Sequence, residues 1–313
     1  MITNLDQMKL LNEYLTEENL PLLKDYATYR LLSSFASYLS MDYRNASQEY
    51  GMAMDGITEA KTEEQIASEM VQGCLDIEFG KIYVDRYFSS ESKADVEDMV
   101  YEIIDVYRNK LDQQDWMSDE TKEKAKKKLD TMNLKIGYPD EWPTYMDQLE
   151  IKAPEDGGNL LTAVLEINRC WQANVRNKIG KPVDKTEWAM TPQTVNAYYN
   201  PSANEIVFPA AFLQEPYYSK DADRATNLGG IGMVIGHEIT HAFDSNGSQY
   251  DENGNYNVWW TDEDYAEFQK RQQAIIDFYS QYEPIEGYKT NGELTLTENI
   301  ADLGSMSCMC EIC

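Results

Sequence analysis

The 313-residue chain is 42% hydrophobic, enough to sustain two domains and a sizeable core. Its 55 Asp and Glu outnumber 27 Lys and Arg, and the formal net charge of -28 disfavours nucleic acid and anionic membrane surfaces as partners. No stretch approaches the roughly 18 apolar residues of a membrane span, and no basic and apolar leader opens the chain, so membrane insertion is not expected. Solubility is the plain reading of the acidity; steering of basic peptides is the alternative.

The first half reads as helix after helix. Residues 4–20, 21–51, 63–88 and 92–114 carry apolar side chains at three-and-four spacing, as in Val96, Met99, Val100, Ile103, Ile104 and Tyr107. Pro21 suits a first helical turn. Ser118 is placed to cap a fifth helix whose run Lys122, Lys124, Lys126, Lys127 and Lys128 is read as a solvated face rather than a polyanion site, because Asp112, Asp115, Asp119, Glu120 and Glu123 surround it. Residues 133–142 break the pattern with Gly137-Tyr138-Pro139, predicting a short strand and a turn. A further apolar-periodic helix is expected over 160–178. The division that follows is a mainly helical part over 1–140, a connecting segment with a helix over 141–190, and a distinct part over 191–313.

That last part changes character. Val195 to Tyr199 and Ile206 to Phe208 are β-rich runs joined by Asn200-Pro201-Ser202-Ala203-Asn204, which predicts a hairpin. Such a strand either pairs with an extended peptide or is simply structural, and the pattern leaves both open. Asp251-Glu252-Asn253-Gly254-Asn255 resembles the start of a calcium loop but lacks glycine at the sixth position, so a reverse turn is expected. Thr261 is placed to cap a helix running to about Tyr282. Cys74, Cys170, Cys308, Cys310 and Cys313 show no disulfide framework; the last three are read as small apolar residues of a helix rather than as a metal cluster.

The chemistry concentrates in Gly236-His237-Glu238-Ile239-Thr240-His241, an HExxH pattern built from the only two histidines in the chain. On a helix, positions four apart lie one above the other, so His237 and His241 can present ring nitrogens to one zinc ion with Glu238 beside it. An open position on such an ion lowers the pKa of a bound water to roughly 7, and Glu238 is the candidate general base. Two histidines leave zinc a ligand short. Thr297-Glu298-Asn299-Ile300-Ala301-Asp302 offers Glu298, with Asp302 on the same helix face to accept a ring N–H of a zinc histidine. Thr295-x-x-Glu298 is equally a capping box, and spacing alone leaves the two readings level.

Taken together, Val195-Asn196-Ala197-Tyr198-Tyr199, Ile206-Val207-Phe208-Pro209-Ala210, the stretch from Gly229 to His241 and Glu298-Asn299-Ile300-Ala301-Asp302 resemble the neprilysin and endothelin-converting-enzyme family of zinc metallopeptidases, including its bacterial oligopeptidase O members. Trp116-Met117-Ser118 and Gly137-Tyr138-Pro139 extend the resemblance over essentially the whole chain. It implies one zinc ion held by His237, His241 and Glu298, Glu238 as general base, and Asp302 and Asp244 as partners behind the ligands. Asn196 and Ala197 correspond to the family's substrate-binding strand. Met233 and Val234, with Tyr217, match a pocket for large apolar residues. The implied fold is mainly α (α+β), a thermolysin-like catalytic domain facing a helical domain that encloses a cavity and so limits substrates to peptides. The reaction implied is endopeptidase cleavage of short peptides before large apolar residues; a non-catalytic, zinc-stabilised peptide-binding module is the alternative.

The chain stops 15 residues after Glu298, where family members continue with an oxyanion-stabilising histidine and a substrate-binding arginine. The resemblance also implies a further part of the helical domain ahead of the N-terminus. Loss of one oxyanion donor typically lowers rates about 100- to 1000-fold, so a C-terminally truncated fragment that is weakly active or inactive is expected. Family habit and acidity lean towards a bacterial protein, exported rather than cytoplasmic.

Overall fold

A computed structural model describes residues 4–312. The helices in chain order are α1 (Leu5–Tyr14), α2 (Leu20–Phe35), α3 (Met41–Asp55), α4 (Glu63–Cys74), α5 (Asp76–Tyr87), α6 (Ser90–Gln113), α7 (Asp119–Asp130), α8 (Leu160–Asn177), α9 (Arg224–Asn227), α10 (Met233–Thr240), α11 (Asp262–Tyr279) and α12 (Leu296–Ile312). Three strands, β1 (Asn133–Gly137), β2 (Tyr198–Asn200) and β3 (Glu205–Pro209), form one small mixed sheet, so the fold is mainly α with a minor β component. Among the described residues, no helix is long and apolar enough to cross a membrane.

Two expected helices are each broken. The run over 21–51 ends at Phe35, passes through a 3-10 turn at Ala36–Tyr38 and restarts after Ser40, whose extended backbone (φ -63, ψ 163) interrupts the spiral. The run over 63–88 is interrupted at Leu75 (φ -121, ψ 46). Neither break carries Gly or Pro, and the apolar period continues across both. The caps at Ser118 and Thr261 form as expected, accepting from the backbone N–H of Thr121 and Asp264 respectively.

The chain divides into two compact units, the first comprising residues up to Leu75 with Pro143–Lys181, the second Asp76–Trp142 with Pro182 onwards. In the first unit α8 buries Val164 and Ile167, while α1 to α4 bury no residue and leave Leu22, Tyr29 and Tyr50 open.

In the second unit β3 is the central strand. It pairs in parallel with β1, Asn133 opposite Glu205 through Gly137 opposite Pro209, and antiparallel with β2, Tyr198 opposite Val207. The parallel partner is supplied by the segment after α7, and β2 remains an edge. Asn204 closes the hairpin at φ 49, a left-handed position that asparagine tolerates. Ile206 and Phe208 are fully buried in the core to which α6 contributes Val96, Met99, Val100 and Ile103, and Val207, on the other face of the strand, is buried as well. A satellite cluster joins Met117 and Ala125 to Trp259 and Trp260, with Phe268 stacked on Trp260 at 4.9 Å.

The basic run is corrected at one position. Lys124 and Lys126 pair with Glu120 and Asp112 at the surface, but Lys128 is 1% exposed. It lies one turn from Ala125 and beside Leu129, on the face of α7 that packs inward. The expected reverse turn at Asp251 forms, its carboxylate accepting the backbone N–H groups of Asn253 and Asn255. Cys308 packs in the core as a small apolar residue, Cys310 is exposed, and Cys313 lies outside the described residues.

Candidate metal centre

Ile231, Ile235 and Ile239 recur every four residues and are fully buried, each contributing about 1.5–3 kcal/mol by removal from water. Ile235 and Ile239, with Ile231 in the turn before, pin one face of α10 to the core and turn the opposite face, with His237 and His241, towards solvent. A π-helical turn at Leu228–Gly232 leads into α10, an irregularity often found at functional sites.

α12 packs on α10 at close range. Gly236 lies against Ser305, and Gly304 lies against Thr240; a Cβ at either glycine would come within 2.5 Å of the facing side chain. Ser305 also donates to the Met233 carbonyl. The Tyr107 hydroxyl from α6 donates to the Gly236 carbonyl at 2.9 Å and touches the Thr240 hydroxyl. Held in this way, α12 presents Glu298 and Asp302 to the histidines.

His237 Nε2 and His241 Nε2 are 2.9 Å apart, and Glu298 Oε2 lies 3.3 Å from the first and 3.7 Å from the second. Tetrahedral zinc with ligands at roughly 2.0–2.1 Å separates them by about 3.3 Å, so this triangle has the size the ion requires. Among the described residues this is the one group of three metal-ligating side chains that meets such a spacing. Nδ1 of His237 donates to Asp302 Oδ1 at 2.8 Å, and Nδ1 of His241 donates to Asp244 Oδ2 at 2.7 Å. With Nδ1 of each ring engaged by a carboxylate, Nε2 of each is the atom turned to the shared point. The capping box at Thr295 does not form: its hydroxyl donates to the Asn291 carbonyl and accepts from the Asn299 amide.

Glu238 is 6% exposed. Burial raises its carboxyl above the ordinary range and Glu298 adds to this, while His241, His237 and the backbone N–H of Tyr199 oppose it. For His241, burial acts to lower the pKa, but the hydrogen bond and charge of Asp244, with Glu238 and Glu298, outweigh it and the net shift is upward. The carboxyl of Glu238 thus stands buried beside a metal-sized triangle of ligands.

A cavity of about 390 Å³ opens over these groups, lined by Asn196, Ala197, His237, Glu238, His241, Asp244 and Glu298 together with Tyr198, Tyr199 and Asn246. Asn196 and Ala197 precede β2, at the free edge of the sheet. Met233, Val234 and Tyr217 do not line this cavity: the first two are half-buried one turn before the histidine and glutamate, and Tyr217 packs edge-on to Phe212 at 4.7 Å. Tyr107, Tyr199 and Lys128 escape sequence reasoning as contributors to this region. For Lys128 the available signal is its phase with Thr121, Ala125 and Leu129 on α7.

An HExxH helix completed by a glutamate from a second helix defines the class of zinc metallopeptidases. Sequence models described as peptidase family M13 match residues 1–139 and 196–311. The chain belongs to peptidase family M13, with His237, His241 and Glu298 as its candidate zinc site. A neutral endopeptidase of Lactobacillus helveticus is 38% identical over 304 residues, covering 95% of this chain and 45% of that protein. The endothelin-converting enzyme homolog of Locusta migratoria is 36% identical over 91% of this chain and 39% of its own length. Among solved structures, PEPO from Lactobacillus rhamnosis superposes with a TM-score of 0.87 at 38% identity, covering 96% of this chain and 47% of that one. The zinc metalloprotease of Mycobacterium tuberculosis in complex with an inhibitor gives 0.82 at 37% identity, covering 94% and 44%. The chain spans less than half the length of each of these relatives.

Proposed function

We propose that the protein is a zinc metalloendopeptidase that hydrolyses short peptides on the amino side of large apolar residues. The observation that carries this reading is the His237, His241 and Glu298 triangle with the buried Glu238 beside it, all facing one cavity. The relatives' names, neutral endopeptidase and zinc metalloprotease, support it.

His237, His241 and Glu298 would hold the ion, and zinc bound there would supply the Lewis acidity needed to activate water and polarise the scissile carbonyl. Glu238 takes a proton from the attacking water and passes it to the departing amine. Asp302 and Asp244 keep both imidazoles in the Nδ1-protonated tautomer. Asn196 and Ala197, ahead of the edge strand, hold the peptide extended through its backbone, so that sequence matters little there. Met233 and Val234, with Tyr217, lie outside that cavity, and the family resemblance alone assigns them to the apolar side chain that follows the cleaved bond.

The test compares zinc content and hydrolysis of a quenched fluorescent peptide carrying Phe or Leu after the scissile bond, in the wild type and in Glu238→Gln. One zinc per chain in both, with weak hydrolysis in the wild type, about 100- to 1000-fold below that of a chain with the oxyanion donor, and none in Glu238→Gln, is the expected result. Hydrolysis that survives Glu238→Gln removes the assigned base. Peptide capture without hydrolysis in either protein identifies the binding module instead.

A further inference from the structure

Lys128 takes no part in the chemistry above, yet it is among the largest fully buried side chains of the second unit. Burying an ammonium is expensive unless its donors are all engaged. Its Nζ donates to three backbone carbonyls, Ala242 at 2.8 Å, Gly247 at 2.6 Å and Tyr250 at 2.8 Å. Three acceptors match the three N–H donors of a lysine. They also bracket one stretch of chain, the turn that follows α10.

That turn carries Asp244. Oδ1 of Asp244 accepts the backbone N–H groups of Asn246 and Gly247, both at 2.7 Å, while Oδ2 receives His241 Nδ1–H at 2.7 Å. Gly247 therefore gives its N–H to Asp244 and its carbonyl to Lys128. Ala242, the second anchor, directly follows His241. The ammonium also sits at the C-terminal end of α10, where a positive charge complements the helix dipole. Phe243 and Tyr199 offer ring faces 5.9 and 5.8 Å from it.

An apolar side chain of similar length would fill this space without the desolvation penalty, and replacing buried charge by well-packed apolar groups is often neutral or stabilising. Stability alone is thus a weak reason for a lysine at this point. What an apolar residue lacks is the means to hold three carbonyls in one geometry. Resting on the zinc reading above, we infer that Lys128 is a positioning residue for the metal centre: it clamps the turn at Ala242, Gly247 and Tyr250, and so holds Asp244 against Nδ1 of His241.

A double-mutant cycle in zinc affinity tests this, using Lys128→Met, Asp244→Ala and the pair, each in competition with a chromophoric chelator. Removing a carboxylate that orients a ligand histidine weakens metal binding by about 10- to 100-fold, and Lys128→Met is expected near the lower end of that range. Because both residues act through one contact, adding Lys128→Met to Asp244→Ala should change affinity by less than about 2-fold, the margin within which independent effects cannot be told from none. Unchanged affinity in Lys128→Met, or fully additive losses in the pair, overturns the inference. Where Lys128→Met lacks native circular dichroism, Lys128→Gln, which keeps two donors, replaces it in the same cycle. A second readout needs no metal. With only two histidines in the chain, the His241 Nδ1–H proton can be followed in histidine-labelled, zinc-free protein. Its hydrogen-bonded resonance should broaden or vanish in Lys128→Met while that of His237 persists. If the wild type binds no zinc, the zinc reading fails, and this proton still decides for or against Lys128.

Discussion

Gly236 on α10 and Ser305 on α12 stand so close that a Cβ added to the glycine would lie 2.5 Å from the serine hydroxyl and 3.1 Å from its Cα. A neighbouring Cα cannot swing aside as a side chain can. The contact therefore sets the spacing of the two helices that carry the metal ligands. Gly236→Ala should lose about 1–3 kcal/mol of stability by overpacking and should also weaken zinc binding, because α12 must retreat with Glu298 and Asp302. Urea midpoints and zinc competition measure the two effects; loss of stability with zinc affinity intact would uncouple the helix spacing from the site.

Asp302 fixes the tautomer of His237 from the same helix that brings Glu298. Asp302→Ala is expected to weaken zinc binding by about 10- to 100-fold with little change in fold. Because the defect lies in occupancy, raising free zinc should restore much of the peptide hydrolysis. A variant that binds zinc as tightly as the wild type would show that the hydrogen bond contributes nothing to the site.

Lys135 of β1 and Glu205 of β3 form an ion pair at 2.7 Å in which both side chains are 5% exposed. Lys135 also donates to the Glu187 carbonyl, and Tyr198 and Asn200 of β2 donate to Glu205. Lys135→Met leaves a buried carboxylate without its cation and should lose about 3–5 kcal/mol. Adding Glu205→Gln should recover part of that loss. Chemical denaturation of the three proteins decides; a single variant as stable as the wild type would mean that the carboxylate finds another partner or a proton at little cost.

Asp264 gives the second unit an acid limit of its own. Burial acts to raise its carboxyl, but hydrogen bonds from Ser118, Thr121 and Thr261 outweigh this and hold it at about 2, below the ordinary 3.8. A carboxyl whose folded pKa is depressed contributes stability that is complete above its unfolded value and is lost as pH falls through the folded one. Stability should therefore decline between about pH 4 and pH 2, and Asp264→Asn should flatten that limb while lowering stability near neutrality. Parallel acid profiles for the two proteins would place the acid sensitivity elsewhere.

What the sequence by itself determined is the part of this protein that local geometry controls. His237 and His241 meet because four residues of helix carry them to the same side, and the caps at Ser118 and Thr261 form because a hydroxyl there reaches backbone donors three residues on. The hairpin of β2 and β3 follows from two β-rich runs and a turn. Each of these depends on neighbours within a few positions.

Tertiary structure alone decided the rest. Glu298 fits a capping box as well as a ligand, and only the packing of α12 on α10 through Gly236 and Gly304 directs its carboxylate to the histidines. Nothing along the chain pairs β1 with β3, and the helix breaks at Ser40 and Leu75 interrupt an apolar period that never falters. Lys128 is the plainest case. In a run of lysines its charge reads as solvated, yet the three carbonyls that satisfy it come from residues more than a hundred positions away. Pattern records how often a side chain recurs; whether it is buried depends on what distant segments bring against it.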